Sequence, residues 1–159
     1  MAPINPQVAA ELGLSNSVVI HAGTTDSIAA FLACAPLKEG AAVTSLGTTL
    51  AVKLLSPKRI DDPEIGLYSH RLGDVWLVGG ASNTGGGVLL DHFAPDQIKA
   101  LSRLIDPTKP TGLAYYPLSK PGERFPVKDS DFLGCLSPRP KDDEIFLQAM
   151  LEGIATVEA

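Results

Sequence analysis

Apolar positions along this chain come in short runs broken by glycine and proline, and the runs predict alternating helices and strands. Pro6–Leu12 reads as a helix, with Asn5 as cap, Pro6 at its first position and Gly13 as stop. Val18–His21 is a β-branched run and predicts a buried strand, with His21 as a core histidine. A helix capped by Thr24 or Thr25 then runs to about Ala35, where Pro36 stops it. Ala42–Leu46 and Leu50–Leu55 predict two strands joined at Gly47-Thr48-Thr49, and Leu67–Leu72 with Val75–Val78 a hairpin turning at Gly73-Asp74. A glycine-rich turn over Gly79–Gly87 follows, then helices over Val88–Phe93 and Pro95–Ile105. Seven of the 13 prolines lie in 107–140, which reads as ordered loop around one strand, Leu113–Tyr116. From about Lys141 a final helix places Ile145, Phe146, Ala149, Met150, Gly153, Ile154 and Val157 at helical spacing. The element mix is α/β, with strands grouped in hairpins.

Charge changes this picture mainly through its placement. Asp26 is the only charge between Glu11 and Lys38, Lys53 the only one between Glu39 and Lys58, and Val75–Leu90 carries none. Such windows read as core or site. The chain as a whole has 159 residues, 45% apolar, which suits one ordinary domain with a real core rather than a disordered segment. Its net charge of -5, with no basic stripe, excludes nucleic acid as the expected partner. No apolar run reaches membrane-spanning length, and the first residues lack a secretory pattern. Cys34 and Cys135 form neither a disulfide framework nor a metal spacing, so a reducing, cytoplasmic setting is expected.

Three segments carry candidate chemistry. Asp26 follows a strand and opens a helix, with small alanines at 29, 30 and 33 on the same side. A helix N-terminus favours the anion there, and a carboxylate beside a space can accept a substrate proton. A capping role accounts for the spacing equally well. Ser45-Leu46-Gly47-Thr48-Thr49 sets a glycine between hydroxyls in a tight hairpin, able to offer N–H and O–H groups to phosphate, or to be an ordinary turn. Gly79–Gly87 joins a strand to a helix, a context for anion binding or simply for close packing. No GxxxxGK[ST] loop occurs, and the GxGxxG spacing fails. Weaker features are Glu123-Arg124, which could orient a sugar or pair at the surface, and Tyr115-Tyr116, which reads as core.

In this order, Ala22-Gly23-Thr24-Thr25-Asp26-Ser27, Ser45-Leu46-Gly47-Thr48-Thr49-Leu50 and Gly79-Gly80-Ala81-Ser82-Asn83-Thr84-Gly85-Gly86 resemble the FGGY carbohydrate kinases. Tyr115-Tyr116-Pro117, Gly122-Glu123-Arg124-Phe125-Pro126 and Leu151-Glu152-Gly153-Ile154-Ala155 extend the likeness across nearly the whole chain. Within that family, AGTTDSIAAFLA, AVTSLGTTLAVKLLS, YSHRL and WLVGGASNTGG look most like the D-ribulose kinase branch, also called xylulose-kinase-like. The resemblance implies an actin-like (ribonuclease-H-like) ATPase domain, here incomplete. Residues 1–159 correspond to part of the C-terminal kinase domain, without the N-terminal sugar-binding domain and its Asp-x-Gly-Thr phosphate loop, and without the downstream adenosine motif. Asp26 aligns with the base that takes the proton from the sugar hydroxyl. Gly47 and Thr48, with Thr49 nearby, align with the second phosphate loop, and Gly80 and Thr84 with positions flanking the nucleotide phosphates. ATP with Mg²⁺ is the implied cofactor, a pentulose the implied substrate, and the missing N-terminal domain the implied partner.

The expected activity is phosphorylation of D-ribulose to D-ribulose 5-phosphate, with the isolated chain inactive because half the cleft is missing. D-xylulose or a polyol is the alternative substrate within the family, and a non-catalytic binding or assembly piece the alternative outside it.

Overall fold

The computed structural model describes residues 1–159, which divide into two compact units, Met1–Cys34 and Ala35–Ala159. In the first unit, β1 (Ala2–Pro3) pairs antiparallel with β2 (Val19–Ile20), and α1 (Pro6–Glu11) lies between them in sequence. The helix starts where the sequence predicts: the Asn5 side chain accepts the Gln7 N–H at 2.9 Å, and Pro6 occupies the first turn. The second helix, α2 (Asp26–Cys34), also forms as predicted.

The expected buried strand over Val18–His21 does not form as such. Only Val19 and Ile20 are strand, at 50% and 53% exposure, and His21 is exposed too. A β-branched run favours extended backbone, but burial needs neighbours. A unit of this size has few, and Ile4, Ala9, Ile28 and Phe31 are its buried apolar residues. The charge-poor window around Asp26 is therefore surface here, with Leu12, Leu14 and Leu32 also exposed.

The second unit holds a four-stranded antiparallel sheet of β3 (Ala42–Leu46), β4 (Leu50–Ser56), β5 (Tyr68–Leu72) and β6 (Val75–Ser82), in the order β3-β4-β6-β5. The β5–β6 hairpin turns at Gly73-Asp74, with Leu72 opposite Val75. Strand β6 runs four residues beyond the predicted end at Val78, so Gly79–Ser82 is sheet rather than turn. Pairing with β4 carries it on: Gly79 lies opposite Lys53 and Gly80 opposite Val52. Glycine weakens a strand by its own propensity, so a local reading ends the strand there.

The predicted strand over Leu113–Tyr116 reduces to one bridge, Tyr116 to Cys135. Tyr116 and Cys135 exchange both backbone hydrogen bonds at 2.9 Å, and Gly112 and Pro117 on either side of the predicted run are residues that weaken a strand. Helices α3 (Gly86–Leu90) and α4 (Pro95–Leu101) are shorter than predicted, while α5 (Asp143–Glu158) covers the predicted final helix.

Helix α5 organises the core of this unit. Phe146, Leu147, Ala149, Met150, Ile154 and Val157 face inward, against Leu50 of β4, Val88 and Leu89 of α3, Phe93 and Tyr115. Phe146 meets His92 and Tyr115 edge-on, with ring centroids 5.2 and 5.8 Å apart. The last turn reaches the sheet through Glu158, which accepts the Thr44 hydroxyl at 2.5 Å. Met150 is fully buried, so Met150→Ala is expected to destabilise the chain by about 2–5 kcal/mol through lost burial and the cavity left behind. Urea unfolding followed by circular dichroism reads this directly, and a change below about 1 kcal/mol would show that the helix does not pack on this core.

Candidate active site

The structure brings Gly47, Thr48, Thr49 and Thr84 into one constellation. Strands β3 and β4 close at Gly47-Thr48-Thr49, where the Gly47 N–H donates to the Thr49 carbonyl at 3.0 Å. The start of α3 docks against the back of this turn. Gly86 N–H donates to Gly47 O at 2.8 Å, Gly87 N–H to Thr48 O at 3.1 Å, and Leu50 N–H to Thr84 O at 2.7 Å. The contact needs glycines. A Cβ on Gly85, whose φ is +154°, would stand 2.6 Å from Thr49 Cα, and one on Gly86 would stand 2.8 Å from Gly47 O.

This arrangement decides between the two readings of the glycine-rich segment. The Gly86 and Gly87 amides are engaged by carbonyls of the hairpin, so close packing explains Gly85-Gly86-Gly87. The free donors lie on the hairpin itself. The N–H groups and hydroxyls of Thr48 and Thr49 have no partner in the chain, and both residues are exposed. Four unpaired donors on one exposed turn are groups that an anion such as phosphate can accept from.

Thr84 and Gly80 stand behind that surface. Thr84 is fully buried, its N–H donates to Ser82 Oγ at 3.1 Å, and its own hydroxyl has no partner. Gly80 is buried in β6 beneath the Phe125 ring, which would lie 2.3 Å from any Cβ there. Neither side chain position opens to solvent, and Gly80 is not part of the hairpin constellation.

Asp26 belongs to the other unit. It opens α2, and its Oδ1 accepts the Ser27 N–H at 2.7 Å while Oδ2 has no partner. Thr25 supplies the carbonyl that accepts the Ala29 N–H, and its hydroxyl lies 3.2 Å from that of Ser27. The carboxylate is exposed, and so are the alanines at 29, 30 and 33. One carboxylate oxygen is thus tied to the helix start and the other is free to accept a proton.

Sequence reasoning named Glu123 only as a weak candidate and missed its role as the most connected carboxylate in the chain. Glu123, 3% exposed, accepts the Ser82 hydroxyl at 2.6 Å, the Asn83 N–H at 2.6 Å, the Arg124 N–H at 2.7 Å and the Tyr116 hydroxyl at 2.8 Å. It is neither a surface ion pair nor an open sugar ligand. Burial pushes its carboxyl up, yet these hydrogen bonds outweigh burial and hold it below the usual carboxylate range. The Tyr116 hydroxyl is pushed up in turn, by burial first and then by Glu123. Through Glu123 the loop at 122–125 is pinned to the end of β6, two residues before Thr84. A polar residue in a proline-rich loop gave no local sign of that long-range role. Tyr115 and Tyr116, by contrast, pack inward as the sequence predicts.

No cluster of three or more His, Cys, Asp or Glu side chains is assembled to hold a metal ion. The residues present do not form a protein cage for Mg²⁺. No helix is long and apolar enough to cross a membrane.

No family model matches the sequence. Among curated proteins the chain is 29% identical over 171 residues to the gluconokinase of Bacillus subtilis, covering 94% of this chain and 33% of that enzyme. It is 26% identical over 163 residues to the xylulose kinase of Staphylococcus epidermidis, covering 95% of this chain and 32% of that enzyme. The crystal structure of a ligand-bound xylulose kinase from Lactobacillus acidophilus superimposes with a TM-score of 0.70 at 20% identity, over 98% of this chain and 34% of that one. The chain spans about a third of the length of the relatives it matches. The fold is therefore the mixed α/β arrangement found in sugar kinases, a partial domain consistent with an incomplete actin-like ATPase fold, and the homologues that cover this chain are sugar kinases.

Proposed function

We propose that this chain forms part of an FGGY-type sugar kinase, contributing a phosphate-binding turn and the catalytic base for ATP-dependent phosphorylation of a sugar hydroxyl. The observation that carries this reading is the β3–β4 hairpin, whose unpaired Thr48 and Thr49 donors face solvent while its backbone carbonyls are locked against α3. Such rigidity suits phosphoryl transfer, where catalysis comes mainly from positioning and charge stabilisation. The N–H and O–H groups of the turn hold the terminal phosphate oxygens of the nucleotide. Gly47 ties the turn to α3 through its carbonyl, which accepts the Gly86 N–H, and Thr84 holds the turn through its carbonyl, which accepts the Leu50 N–H. Gly80 leaves room for the Phe125 ring and so acts on the shape of β6 rather than on phosphate. The free Oδ2 of Asp26 takes the proton from the sugar hydroxyl as that oxygen attacks.

Magnesium is the expected companion of the nucleotide and neutralises charge on its phosphates. The chain assembles no ligand set of its own for the ion, so no step here is assigned to it.

D-Ribulose is the substrate we favour, on the segments around Asp26, Gly47 and Gly80. D-Xylulose is the second reading, supported by the names of the xylulose kinases that match. The test is a chimera in which residues 1–159 replace the matching third of the Bacillus gluconokinase, assayed with ATP against D-ribulose, D-xylulose, a polyol and gluconate. ATP-dependent turnover by the chimera is the expected outcome, and its absence would count against the kinase reading. Because the N-terminal domain supplies most of the sugar pocket, D-ribulose against D-xylulose is decided by the same panel on this chain joined to its own N-terminal domain. The chain alone is expected to be inactive with all four, and measurable transfer by residues 1–159 would show that the rest of the cleft is dispensable.

A further inference from the structure

A cavity of about 550 Å³ opens beside β5, with Arg59, Asp61, Gly66, Tyr68, Arg124 and Lys128 in its walls. Three cations and one carboxylate line it, on a chain whose overall charge is -5. We propose that this cavity binds a small phosphorylated metabolite, a phosphomonoester dianion on a short carbon skeleton.

Asp61 is held by Arg59 at 2.5 Å and by the Ser69 N–H at 2.7 Å, so its charge is met within the chain. Those hydrogen bonds outweigh its desolvation and keep its carboxyl below the usual range. Arg124 and Lys128 make neither an ion pair nor a side-chain hydrogen bond. Two free cations therefore face one cavity, and an anion with two charges is their natural complement.

Their placement is fixed by the backbone. Glu123 and Asp129 exchange both backbone hydrogen bonds, at 2.7 and 3.1 Å, which closes residues 124–128 into a loop. Arg124 and Lys128 are the first and last residues of that loop, so its neck brings their backbones together at the wall of the one cavity that both line. Glu123 anchors the neck through its buried hydrogen bonds. The facing wall is tied to the same loop at Gly66, whose φ is +75°. A Cβ there would fall 1.7 Å from the Arg124 carbonyl oxygen, so only glycine lets the two segments meet. Tyr68 completes the wall, its ring held by the Lys53 ammonium 4.4 Å from the centroid.

A guanidinium fork matches phosphate oxygens two at a time, an ammonium adds a point charge, and the tyrosine ring offers apolar surface to a carbon chain. The volume falls in the range of small-molecule sites, roughly 300–1,000 Å³. None of these residues belongs to the phosphate-binding turn or to α2, so the inference stands apart from the kinase reading.

Ribose 5-phosphate titrated calorimetrically into residues 1–159 at fixed ionic strength tests it. Saturable one-site binding is expected, with no heat from ribose and weaker binding of inorganic phosphate. Arg124→Gln and Lys128→Gln should each weaken the sugar phosphate by about tenfold or more, the effect of losing one charge-assisted hydrogen bond. If circular dichroism shows Arg124→Gln to be unfolded, Arg124→Lys replaces it, keeping the charge but losing the fork, and binding should still weaken. Failure of the wild-type chain to saturate, or equal affinity in the variants, overturns the proposal.

Discussion

In the gluconokinase chimera, Asp26→Asn is expected to lower kcat by about 10²–10⁴-fold, the usual contribution of a general base. The substitution is chosen because Oδ1 of the asparagine can still accept the Ser27 N–H, as Oδ1 of Asp26 does at 2.7 Å. The start of α2 is thereby kept, while the oxygen that would take the proton becomes an amide. The Michaelis constants for sugar and ATP should change little, since the lost interaction develops only as the hydroxyl is deprotonated. A purely capping Asp26 predicts something different: asparagine caps a helix as well as aspartate does, and activity would be retained. Full activity in the asparagine variant, with the helix intact by circular dichroism, would therefore remove Asp26 from the chemistry.

The largest structural effect is expected at Glu123. Glu123→Ala strips the acceptor from the Ser82 hydroxyl, the Asn83 and Arg124 N–H groups and the Tyr116 hydroxyl. Each buried donor left unmet costs about 1–3 kcal/mol, so a total loss of about 3 kcal/mol or more is expected in urea unfolding. Glu123→Gln removes the charge at nearly constant volume and isolates the pH dependence. Because the folded carboxyl titrates below its ordinary value of 4.5, its stabilisation is complete above that pH and is lost as pH falls through the lower folded value. The wild-type chain should therefore lose stability in acid from about pH 4.5 downward, and the glutamine variant should show a flatter acid limb. Parallel acid limbs in the two proteins would mean that Glu123 is not the group responsible.

Glu123 also shows why part of the site was hidden from a sequence reading. Its partners at 82 and 83 lie some forty positions away, and nothing in Gly122-Glu123-Arg124-Phe125-Pro126 announces them. Helix starts were easier, because their determinants are local. Asn5 with Pro6, and the first turn at Asp26, are set by side chains within a few residues of the backbone groups they serve. The Gly73-Asp74 hairpin and the inward stripe of α5 were legible for the same reason, since turn chemistry and helical period act over short spans. Strand ends and burial were not. Gly79 and Gly80 became sheet because β4 offers them partners, and Val19 and Ile20 stayed exposed because their unit offers few.

Sequence alone determined the helix starts, the hairpins, the α/β class and the identity of the exposed hydroxyls around Gly47. Local propensity and short-range hydrogen bonding suffice for these. Tertiary structure decided which polar groups remain free. It engaged the Gly86 and Gly87 amides with the hairpin carbonyls and left the Thr48 and Thr49 donors open. It buried Glu123 as an anchor and left Arg124 and Lys128 unpaired at a loop neck closed by Asp129. A hydrogen bond or ion pair across many positions depends on where the backbone brings its partners, and residue spacing along the chain carries no record of that.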